Sequence, residues 1–141
     1  MLPLFSVRAR SDFGVGDFGS LDGFFAWLEL SGQHLWMMLP LLPTAWGDPS
    51  PYSTCSAFGL NPLFIDLNPL LVRHGLSLSA GERQRLDEAR RATTVRYGLV
   101  AALKGALLHR AFDAFEKSPE PEFEKFCSAQ RAWLDDYALF A

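Results

Sequence analysis

Basic residues are in deficit: thirteen Lys and Arg stand against sixteen Asp and Glu, a net charge of −3. A chain without a basic footprint is a poor match for nucleic acid as its main partner. Cysteine is nearly absent. Cys55 and Cys127 sit far apart, in neither a metal nor a redox spacing. They read as two inert thiols of a reduced, cytoplasmic protein. Histidine is equally sparse. His34, His74 and His109 have no partner at ligand spacing, so no metal is expected, and His34 reads as a hydrogen-bonded core residue. Long hydrophobic runs are missing too. The longest, Leu35–Trp46, is too short for a membrane span and is broken by Pro40 and Pro43. Met1–Val7 lacks a basic start and a long apolar stretch, so no signal peptide is expected.

What is present suits one globular domain of 141 residues, 49% of them apolar. Aromatics are plentiful, with twelve Phe and four Trp, which implies either a large core or a stacking surface. The chain changes character near residue 76. Before it lie most of the Pro and Gly; after it come helical periods rich in Arg, Glu and Ala. The division is therefore 1–75 and 76–141.

In the first part, Leu2–Val7 and His34–Leu41 read as strands flanking a helix. Ser20 serves as its cap, Leu21, Phe24, Phe25 and Leu28 form its apolar face, and Gly32 stops it. Strand, helix and strand in so short a span predict a βαβ unit and an α/β fold with parallel neighbours. Leu63–Leu67 reads as a further strand. In the second part, Ser79 and Glu82 spell a capping box. A longer helix is expected over about Thr94–Lys117, and a last helix after Ser118-Pro119.

Two segments invite chemistry. Gly14-Val15-Gly16-Asp17-Phe18-Gly19 fits the G-x-G-x-x-G pattern of dinucleotide sites. However, six residues separate it from the preceding strand, and no acidic residue ends the next one. A structural turn with no nicotinamide or flavin cofactor is the expectation. The second segment is the loop Trp46–Ser53. Pro49 and Pro51 stiffen it, and it carries an indole, a carboxylate, hydroxyls and a phenol. That mixture suits a sugar, whose C–H face stacks on aromatics while its hydroxyls take hydrogen bonds. A rigid turn whose aromatics pack locally fits the same residues. Asp135 and Asp136 are adjacent on a helix, so they diverge and form no catalytic pair.

At this loop the sequence resembles the 4-α-glucanotransferases, also called amylomaltases or disproportionating enzymes. The resemblance rests on Phe13–Gly19, Ser31-Gly32-Gln33, Leu39-Pro40-Leu41 and Gly47-Asp48 with Ser50-Pro51-Tyr52-Ser53. It continues through Ser56-Ala57-Phe58, Asn61–Leu67, Arg96-Tyr97, Lys104 and Trp133–Phe140, from end to end of the chain. One departure is Pro49, an added residue between Gly-Asp and Ser-Pro-Tyr.

The resemblance implies the opening βαβ segment of a (β/α)8 TIM barrel, incomplete in this chain, followed by a mostly helical insertion at 76–141. It implies transfer of α-1,4-glucan segments between maltodextrins with retention, through a carboxylate nucleophile and an acid/base. Those carboxylates are expected beyond Ala141, so no catalytic residue is assigned here and the chain alone is expected to be inactive. Ser50 and Tyr52 are implied sugar contacts near the cleavage site, Trp46 an outer aromatic site, and Asp48 a loop brace. Partners are then α-1,4-glucans, including glycogen or starch fragments, with neither nucleic acid nor membrane. A non-catalytic glucan-binding or interaction module is the alternative. Two or three strands cannot close a barrel, so self-association through exposed sheet edges is expected.

Overall fold

Local chemistry at the helix ends explains much of the architecture. The computed structural model describes residues 1–44, 48 and 50–140. Among these, the helices are α1 (Leu21–Leu30), α2 (Leu67–Arg73), α3 (Ala80–Arg91), α4 (Tyr97–Glu116) and α5 (Pro121–Phe140). Single 3-10 turns form at Leu4–Ser6, Phe18–Ser20 and Pro62–Phe64.

The Ser79–Glu82 capping box forms: Glu82 N donates to Ser79 Oγ at 3.3 Å, and Ser79 N donates to Glu82 Oε2 at 2.7 Å. Arg110 Nη1 reaches both Glu82 oxygens at 2.9 Å, which ties the start of α3 to α4. Gly32 stops α1 with a positive φ of 66°, as Gln33 N returns to Leu28 O at 2.9 Å. The long helix starts at Tyr97, later than Thr94. The last helix takes Pro121, not Pro119, into its first turn.

The main core gathers Phe13, Leu67, Leu71, Leu86, Leu103 and Leu107, so α2, α3 and α4 close over the N-terminal segment. Along α4 the buried residues Val100, Leu103, Lys104, Leu107 and Ala111 form one face at helical spacing. A second cluster joins Leu4, Val7 and Phe64, and a third joins Val15, Ala89 and Val100.

The expected α/β fold with a βαβ opening is not what forms. Among the described residues there is no strand and no sheet, only one isolated bridge between Thr44 and Thr54. In Leu2–Val7 the backbone satisfies itself locally, with Ser6 N on Pro3 O and Val7 N on Leu4 O. His34–Leu41 stays free of regular structure. It accepts from Leu2 N at Met37 O and from Asn61 N at Leu41 O, single bonds to two different segments. A strand requires a continued ladder, and none is available here. The expected strand Leu63–Leu67 is divided between a 3-10 turn and the start of α2. Self-association through sheet edges therefore has no structural basis among the described residues. His34, expected in a core, is exposed.

An apolar surface takes the place of those edges. No residue of α1 is buried. Phe24 stacks on Trp27 and meets Trp36 edge-on, while Phe25, Leu30, Leu35 and Met37 face outward.

Candidate functional site

The loop after Leu41 is held by its own short polar side chains. Its neck closes where Thr44 bridges Thr54 and Cys55 N donates to Pro43 O at 3.1 Å. Asp48 Oδ1 accepts from Ser50 N at 2.8 Å. The Ser53 side chain and the Ser50 N–H hold the Asp48 carboxyl below its ordinary value. These contacts are internal to the loop. Ser50 Oγ accepts from Tyr52 N at 3.4 Å, a long bond, and Tyr52 itself is 69% exposed. Farther on, Ser56 Oγ accepts from Phe58 N and Gly59 N. The Phe58 ring stacks on Trp133 of α5, with centroids 5.6 Å apart. Trp46, one of the three expected sugar-contact residues, lies outside the described residues.

Beside the loop runs a cleft of about 850 Å³. Pro43, Thr44 and Asp48 line one wall, Asn61–Leu63 its end, and the Tyr97–Leu108 stretch of α4 the other wall. Small residues of α4 (Gly98, Ala101, Ala102, Gly105) keep this wall flat. The described lining contains Asp48 but neither Ser50 nor Tyr52, which stand together on the loop outside it. Tyr97 packs edge-on against Phe5 at 6.4 Å, and burial raises its phenol above the ordinary value. An apolar floor with a few polar groups at the rim is the usual build of a small-molecule site.

Lys104 sits at the base of this cleft, 1% exposed. Its ammonium donates to Asp17 Oδ2 at 2.9 Å, Leu63 O at 2.7 Å and Ile65 O at 2.8 Å. Burial lowers the Lys104 ammonium below its ordinary value against the pull of Asp17. Burial likewise raises the Asp17 carboxyl, although the Lys104 hydrogen bond opposes it.

The Gly14–Gly19 turn is packed from inside. Asp12 Oδ1 accepts from Gly14 N at 2.9 Å, so a carboxylate already occupies an amide that a phosphate would use. Arg8 grips the same carboxylate at 2.7 and 3.1 Å. A Cβ on Gly16 would collide with Leu4 O and Val7 O.

Asn61, Tyr97 and Lys104 join the cleft lining although the sequence reading assigns them no site role. For Lys104 the missed signal is a lone cation at a core position of an apolar helix stripe, which demands a buried partner.

The chain matches the 4-alpha-glucanotransferase family over residues 2–141. It is 38% identical over 129 residues to the 4-alpha-glucanotransferase of Clostridium butyricum, covering 91% of this chain and 26% of that protein. Against that of Synechocystis sp. it is 40% identical over 139 residues, covering 92% of this chain and 26% of the relative. For Thermus thermophilus the identity is 40% over 133 residues, with 91% and 25% covered. The chain belongs to the 4-alpha-glucanotransferase family, and it spans about a quarter of the length of these relatives.

Proposed function

We propose that this chain supplies α-1,4-glucan contacts for 4-α-glucanotransfer, with maltodextrins and glycogen or starch fragments as substrates. The family match over residues 2–141 carries this reading. Residues 1–75 present the sugar loop, with Ser50 and Tyr52 binding hydroxyls near the scissile bond and Trp46 stacking an outer glucose. Residues 76–141 supply the far wall of the cleft. In the retaining reaction a carboxylate attacks the anomeric carbon and an acid protonates the departing sugar oxygen. A second sugar hydroxyl then displaces the enzyme from the covalent intermediate. Those carboxylates lie outside these 141 residues on this reading. The free thiols of Cys55 and Cys127 support action in a reducing cytoplasm. Among the described residues no helix is long and apolar enough to cross a membrane.

Two assays test the reading. Incubated with maltotriose, the chain alone should release no glucose and build no longer maltodextrin; transfer would contradict the placement of the carboxylates. In a full-length 4-α-glucanotransferase bearing this segment, Ser50→Ala and Tyr52→Phe should each lower kcat/KM roughly two- to tenfold, the worth of one hydrogen bond. Trp46→Ala should impair long glucans more than maltotriose. Normal transfer by all three variants on both donors would reduce the loop to a structural turn.

A further inference from the structure

The sugar loop closes on its own base at both ends. At its start, among the described residues, the neck is closed by the Thr44–Thr54 bridge and the Cys55–Pro43 bond, both within the loop. At its finish, Asn61 N donates to Leu41 O, again to the loop's own base. Besides the Phe58–Trp133 stack on α5, a polar connection to the helical half runs through Lys104, whose ammonium binds Leu63 O and Ile65 O two and four residues past Asn61. Its third donor goes to Asp17 in the Gly-rich turn. One buried cation thus joins α4, the 61–65 segment and the 14–19 turn, and its three N–H groups are matched by three acceptors. Because Lys104 and Leu63 both line the cleft, the same contacts set the distance between its Asn61–Leu63 end and the α4 wall.

We propose that Lys104 is a positioning residue of the cleft: by clamping the 61–65 segment to α4, it fixes the distance between Asn61 and the α4 wall and with it the affinity for glucan. This rests on the glucan reading above. A glucan groove works only if its hydrogen-bonding wall is held at one separation, since a misplacement of about 1 Å is costly. Lys104 touches no substrate on this account. It acts through the carbonyls of Leu63 and Ile65.

Two variants separate positioning from general stability. Asp17→Asn retains the ammonium and its two carbonyl acceptors. Lys104→Met combined with Asp17→Asn removes them without stranding a buried charge. Each is compared with the unaltered chain by amide exchange and by titration with maltoheptaose, at a temperature where circular dichroism shows it folded. The reporters are the amides of Leu63, Phe64 and Ile65, which donate to Asn61 Oδ1, Asn61 O and Pro62 O. In the double variant these should exchange at least roughly tenfold faster, and maltoheptaose should bind roughly tenfold more weakly. Asp17→Asn leaves the buried ammonium without its counter-charge and should lower stability throughout, so it is read at a temperature where its stability matches that of the unaltered chain. There the 63–65 amides and the maltoheptaose affinity should stay within about twofold of the unaltered chain.

Unchanged exchange at 63–65, or equal acceleration throughout α3 and α4, overturns the clamp. Faster exchange with unchanged affinity overturns positioning and leaves a structural tie. Absence of maltoheptaose binding by the unaltered chain sinks the glucan reading on its own, and the exchange data then decide the clamp. Should the double variant fail to fold, Lys104→Gln with Asp17→Asn replaces it. Its amide reaches only one of the two carbonyls, so exchange between those of Asp17→Asn and the unfolded chain is expected, and exchange equal to that of Asp17→Asn overturns the clamp.

Discussion

Gly14 lies directly against Ala89: a Cβ built on Gly14 would stand 2.5 Å from the Ala89 methyl carbon. The contact lets the N-terminal turn seat on α3, with Arg90 Nε donating to Asp12 O at 2.7 Å next to it. Gly14 also has a φ of +90°, which side-chain-bearing residues rarely adopt.

Gly14→Ala should therefore destabilise the chain by about 2–4 kcal/mol, combining backbone strain with overpacking. Gly105→Ala in the middle of α4 meets open space. It should stabilise by about 0.5–1 kcal/mol through helix propensity. Urea unfolding of both variants checks the contrast. Equal effects would mean that the Gly14–Ala89 approach is not close.

Acid should unfold the chain partly through Asp12. Burial raises its carboxyl, but Arg8 and the N–H groups of Gly14 and Ala9 outweigh this and hold it below 3.8. The unfolded chain then binds more protons than the native one as pH falls. The contribution of Asp12 is fully present above pH 3.8 and is lost below it, as pH drops through the folded value. Asp17 has the opposite sign, because its raised carboxyl favours folding at low pH and loses that benefit as pH rises. Melting temperatures measured between about pH 6 and pH 2 should fall on the acid side, and Asp12→Asn should flatten that fall. A slope unchanged by Asp12→Asn would show that the carboxyl is not perturbed.

The apolar surface should make the chain associate. Leu30 and Leu35 are 90% and 92% exposed, next to the Phe24–Trp27–Trp36 cluster. Light scattering should show mass rising with concentration, and Leu35→Lys together with Leu30→Glu should reduce it. A concentration-independent monomer of the unaltered chain would contradict this.

The helical half was legible because its signals are local. Ser79 and Glu82 act across one turn, and the α4 stripe repeats at helical spacing from Val100 to Ala111. The first half is not legible in the same way, because apolar runs of strand length say nothing about whether a ladder partner exists. Pro3 and Pro40 remove donors that pairing would need. In α2 the signals are local as well: Asp66 Oδ1 caps Asn68 N at 2.9 Å, and Pro69 fits the first turn. For the site, Asp48 as a loop brace could be read from its neighbours in sequence. The cleft could not, since Lys104 meets Leu63 and Ile65 only after α4 packs across 41 and 39 residues of chain.

The measurement that bears most directly on a glucan-contact role is the amide and side-chain chemical-shift map of the isotope-labelled chain as maltoheptaose is added. Saturable shifts confined to residues 50–56, Asn61 and the Tyr97–Leu108 face of α4, weakened by Tyr52→Phe, are the expected result. No shifts, or shifts gathered on α3 and α5 away from the cleft, would contradict it.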